Sequence, residues 1–212
     1  MSRGGRTPGR EDRTMPDALT PAEFHETVGR TVAAGPARIT LHMDFSRNRE
    51  AVEEGPRRRG ILPALARAVV RRLPRELDAE GVLDVAGRRA MFDQGHMAAV
   101  QLGDRVWSGR PGRTLDSLPS GTAPELVTPL RLFDRLATVT AVEDRGPDDG
   151  LRHVTATTDG SPEPVEVWLD THVRRIRAGR DATTMTLDAF GTDVDGLDWT
   201  RLPGSPDGPG TT

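Results

Sequence analysis

Short, turn-rich separators cut the chain beyond Glu76 into brief apolar segments, and this spacing constrains the fold more than any other feature. The separators are Ala86-Gly87, Gly103-Asp104, Arg145 to Gly150, Asp159-Gly160-Ser161-Pro162 and Gly179-Arg180-Asp181. Two parallel strands need a crossover of about a dozen residues or more, and these separators leave no room for one. The sheet is therefore expected to be mainly an antiparallel meander. Leu83 to Val85 with Arg88 to Phe92 reads as one hairpin, and Ala98 to Leu102 with Arg105 to Trp107 as another. Further strands are expected at Thr138 to Glu143, Leu151 to Thr157, Val165 to Asp170, Val173 to Arg177 and Thr184 to Ala189. Residues 108–127 read as a long loop. A short helix is expected from Pro129 to Leu136, capped by Thr128.

The first part of the chain is patterned differently. Thr20-Pro21-Ala22-Glu23 has the form of a capping box with Pro in the first helical position. Phe24, Val28 and Val32 recur on one helical face, and Gly35 permits the left-handed turn that ends the helix. From Arg38 to Phe45, Ile39, Leu41, Met43 and Phe45 alternate with Thr40, His42 and Asp44, the period of a strand with one dry face. A charged loop, 46–60, leads to a second expected helix over 61–73. Its stripe is Leu62, Leu65, Ala66, Val69, Val70 and Leu73. Residues 1–19 and 204–212 read as tails around one domain, 20–203.

Composition removes several function classes. The chain has 212 residues and a formal net charge of -3, with no Lys, Tyr or Cys. Disulfides, thiol catalysis, zinc-thiolate sites, Schiff-base chemistry and a Walker-type phosphate loop are excluded. No apolar run is long enough for a membrane-spanning helix. The mild net charge argues against general nucleic-acid binding. No apolar segment follows the basic N-terminal residues, so a cytoplasmic location is expected.

The order of elements is distinctive, and so is the run Pro164 to Asp170, then Val173-Arg174-Arg175-Ile176, Thr184 to Leu187, Phe190-Gly191 and Val194. This run resembles the closing strands of the LppX/LprG-type lipoproteins of actinobacteria, within the LolA-like lipoprotein-carrier fold. The Val100 to Trp107 hairpin and the Leu130 to Leu136 helix match in order. The resemblance covers residues 20–203 and is strongest over 164–195. It implies an α+β fold in which helices cover the concave face of a strongly curved antiparallel half-barrel. It also implies a hydrophobic cavity between sheet and helices, where family members carry lipids or lipid-modified proteins. The chain departs from the family in having neither a signal segment nor an acylatable Cys.

The cavity candidates are Ile39, Leu41, Met43 and Phe45 on the first strand, facing Leu62, Leu65, Val69 and Leu73 on the second helix. The plainer reading is that the same residues pack against one another as core. Arg58, Arg71 and Arg72 are candidates for holding a head group at the rim, against a solvated rim paired with nearby Glu residues. Asp193-Val194-Asp195-Gly196-Leu197-Asp198 lacks EF-hand spacing and reads as a polar turn, so no metal site and no cofactor are expected. His42, Asp44 and His153 are the acid–base residues to test, with a solvated strand face as the alternative.

Three functional expectations follow. The first is non-catalytic binding of a lipid or other hydrophobic small molecule. The second is a cyclase- or isomerase-type enzyme that reuses the same cavity. The third is a regulatory module that binds a protein partner.

Overall fold

The computed structural model describes residues 18–44, 76–122, 128–161, 163–178 and 183–204. The expected second helix, Phe45 and Arg58, Arg71 and Arg72 lie outside the described residues, as do Leu62, Leu65, Val69 and Leu73.

Helix α1 spans Pro21–Ala33, and its capping box forms as expected. The Thr20 hydroxyl accepts the Glu23 amide, and the Glu23 carboxylate accepts the Thr20 amide at 2.8 Å. Gly35, at φ 87°, turns the chain into β1, Ala37–Asp44. The strands that follow are β2 Glu76–Asp84, β3 Arg89–Asp93, β4 Ala98–Leu102, β5 Arg105–Gly109 and β6 Gly121–Thr122. Helix α2, Pro129–Asp134, continues as a 3-10 turn over Arg135–Thr138. The chain then forms β7 Val139–Asp148, β8 Leu151–Thr158, β9 Val165–Leu169, β10 Val173–Ala178 and β11 Thr183–Asp188.

All eleven strands lie in one sheet, in the order β6-β5-β4-β3-β2-β1-β11-β10-β9-β8-β7. Every pairing is antiparallel. Two meanders thus meet where β1 pairs with β11, and the outermost strands β6 and β7 leave the sheet unclosed. The sheet curves around the helices. α2 touches both β3 and β10, which are separated by β2, β1 and β11. On a flat sheet those two strands would stand about 19 Å apart, whereas α2 has six residues and is about 9 Å long. The sheet must therefore wrap toward α2. At Gly81 β2 and β3 approach too closely for a side chain. A Cβ there would lie 2.0 Å from the Met91 carbonyl oxygen and 2.7 Å from Phe92 Cα. Together these features make an α+β half-barrel with helices on its concave side.

The concave face carries the main core. Ile39, Leu41, Ala79, Leu83, Ala90, Phe92, Val154, Val167, Ile176, Met185 and Leu187 pack with Phe24 and Val28 of α1 and Leu130, Leu132 and Phe133 of α2. A second, smaller core lies on the outer face of β3 to β5. There Met91, Val100 and Trp107 are covered by Leu115, Leu118, Trp199 and Leu202 from two loops joined by the Thr114–Arg201 bridge.

Three sequence expectations are corrected. β2 begins at Glu76, seven residues before the expected Leu83. Leu77, Ala79 and Leu83 do alternate, but Gly81 breaks the apolar series. β7 continues through Gly146-Pro147 to Asp148, a stretch that reads as a turn. β7 is an edge strand with two irregularities of register, the setting in which a strand tolerates a proline. The Thr128 side chain does not cap α2. Gln101 of β4 does so instead: its Oε1 accepts the Leu130 amide at 3.3 Å and its Nε2–H donates to the Thr128 hydroxyl at 3.0 Å.

Candidate functional site

The concave wall is built from every second residue of the central strands. Ile39, Leu41 and Met43 of β1 point inward, opposite Gly81, Ala79 and Leu77 of β2 and, for the first two, opposite Leu187 and Met185 of β11. Ile39 and Leu41 are each 2% exposed and belong to the core that meets the helices. Met43, 9% exposed, is buried but lies outside both cores of described residues, and its half-buried partner Leu77 does too. The apolar wall therefore runs past the helix-packed core toward the Asp44–Glu76 pair, where residues 45–75 join β1 to β2.

α1 packs beside β7 and β10 and is held there by polar contacts. The Thr31 hydroxyl accepts the Val173 amide at 2.8 Å and donates to the Thr27 carbonyl. His25 Nε2 meets the Val139 carbonyl at 2.9 Å, and Arg30 Nε donates to the Thr171 carbonyl at 3.3 Å. Between α1 and the ends of β8 and β9 lies a cleft of about 520 Å³ that sequence reasoning missed. It is lined by Leu19, Glu23, Glu26, Thr27, Arg30, Gly150, Arg152, Leu169 and Asp170. Its lining comes from segments more than a hundred residues apart, so no local pattern announces it.

The charges around the cleft are paired within the molecule. Burial pushes the Asp170 carboxyl up, but the His172 amide and the Arg174 guanidinium outweigh it and hold the group below the usual range. Asp144 behaves alike: burial raises it, while the Gly146 amide and Arg152 bring it below the usual range. Glu23 is lowered by the Thr20 amide and hydroxyl.

The acid–base candidates are not brought together. His42, Asp44 and His153 stand on the outer face, with the opposite parity to Ile39, Leu41 and Val154. His42 Nδ1 pairs with Asp78 at 2.8 Å. His153 stacks on Trp168 two strands beyond β11 and β10. Asp193 and Asp198 accept the amides of Asp195 and Thr200, which makes them turn formers. Among the described residues no group of three or more His, Asp or Glu could hold a metal ion. No described helix is long and apolar enough to cross a membrane.

These features define an α+β protein with an unclosed antiparallel half-barrel and an apolar inner wall. No protein-family model matches the chain, and no curated protein matches it significantly. Among solved structures it is similar to LprF from Mycobacterium bovis, with 12% identity and a TM-score of 0.43. That match covers 85% of this chain and 96% of the LprF chain.

Proposed function

We propose that the chain binds a lipid or another hydrophobic small molecule on the concave side of its half-barrel. The observation that supports this best is the extension of the apolar wall through Met43 and Leu77, beyond the part that α1 and α2 pack. The segment that joins their strands carries the stripe Leu62, Leu65, Val69 and Leu73. A ligand seated between wall and stripe would need no specific polar contact. Removing about 400 Å² of apolar surface from water contributes roughly 10 kcal/mol before the costs of association. The resemblance of the closing strands to lipid carriers points the same way. Arg58, Arg71 and Arg72, in the same joining segment, are the residues suited to an anionic head group.

The test is native mass spectrometry of the purified protein, followed by solvent extraction of what it releases. The wild type carries a discrete hydrophobic species, or takes one up from a lipid extract. Leu77→Arg places a charge at a half-buried position outside the helix-packed core, so it loses the ligand and keeps the fold. Stoichiometric retention by this variant would contradict the site, and a clean apo mass after exposure to lipid would contradict the function.

A further inference from the structure

The outer face of β8, β9 and β10 holds a histidine between an aromatic ring and a carboxylate. His153 on β8 lies directly across from Trp168 on β9, which lies across from Arg175 on β10. The imidazole and indole planes are parallel within 1°, with centres 4.3 Å apart. Arg175 sits over the Trp168 ring, 5.3 Å from its centre. The hairpin tip between β7 and β8 fixes this stack. The Trp168 indole N–H donates to Asp148 at 2.6 Å, and Arg175 meets Asp149 at 3.6 Å. His153 Nε2 is buried and has no hydrogen-bond partner among the described residues. Glu166 Oε1 stands 3.9 Å from it, while Glu166 Oε2 faces Arg177 at 3.5 Å.

We propose that protonation of His153 operates a latch across three strands, in which the imidazolium donates through Nε2 to Glu166 and completes the row His153–Glu166–Arg177. A proton taken from solvent is the only chemical input. In the neutral state Nε2 makes no hydrogen bond with the carboxylate beside it, and even as an N–H it would offer only a neutral donor. In the charged state a small approach makes a charge-assisted bond. Each positive group near His153 already has its own carboxylate: Arg145 has Glu143, Arg152 has Asp144, Arg175 has Asp149 and Arg177 has Glu166. The latch closes when the imidazole takes a proton and opens when it gives the proton up. It stiffens β8 to β10 whether or not the concave face holds a ligand.

The experiment is imidazole NMR on the full chain from about pH 8 to about pH 5. The His153 signal is assigned by its absence in His153→Phe, because His172 also stacks on an aromatic ring. Glu166→Gln, an isosteric change at a partly exposed site, removes the charge beside the ring and lowers the His153 midpoint relative to the wild type, with His42 as the internal reference. In the wild type, amide exchange in β8 and β9, corrected for its intrinsic pH dependence, slows as the transition is crossed. An unchanged His153 midpoint in Glu166→Gln would overturn the latch, and so would exchange indifferent to the transition.

Discussion

Gly81, Asp144 and Gln101 each have a role set by what lies beside them in the fold. A methyl group at Gly81 would collide with the backbone of β3, which cannot give way as a flexible side chain can. Gly81→Ala therefore costs about 3 kcal/mol or more, read as a fall in the urea midpoint. An unchanged midpoint would contradict the close approach of β2 and β3. Asp144 and Asp170 have native proton affinities below those of an unfolded aspartate. The stability they contribute is complete above the ordinary aspartate range and is lost as pH falls through their lowered native values. Asp144→Asn should flatten the acid limb of the stability profile between about pH 5 and pH 2; an unaltered slope would contradict this. Gln101 shows what stays invisible at this scale. Its side chain caps a helix 29 positions away, and nothing in its neighbours signals the link.

At the scale of elements, legibility depended on whether the signal was local. The capping box and the Gly35 turn of α1 depend on residues four or fewer apart, and both could be read directly. β4 was legible to the residue, because Gly103-Asp104 ends it sharply. β7 was misread because its Gly146-Pro147 pair has turn chemistry, and only the strand's place at the sheet edge makes that pair harmless. The outer core was missed because Leu115 and Leu202 come from loops without periodicity. The attachment of α1 is testable here. Thr31→Val keeps the volume and leaves the buried Val173 amide without its acceptor. A loss of about 1–3 kcal/mol is expected, with exchange at the start of β10 accelerated in native-state measurements. Wild-type protection at Val173 would contradict the role given to Thr31.

For the whole molecule, the two meanders form one unclosed sheet, and its inner wall is apolar from β3 to β9. Alternation in β1 identified that wall, because Ile39, Leu41 and Met43 share one parity. It could not separate packed core from ligand surface, since both demand the same side chains. The structure assigns Ile39 and Leu41 to the core and leaves Met43 and Leu77 at its margin. The polar cleft beside α1 joins segments from opposite ends of the chain and could not be read from either. The most direct measurement of the central claim is native mass spectrometry of the wild-type chain beside Leu77→Arg, a change at a half-buried position. The account predicts a releasable hydrophobic species on the wild type and none on the variant, with both unfolding at closely similar temperatures. The same bound mass on both, or on neither after incubation with lipid, would contradict it.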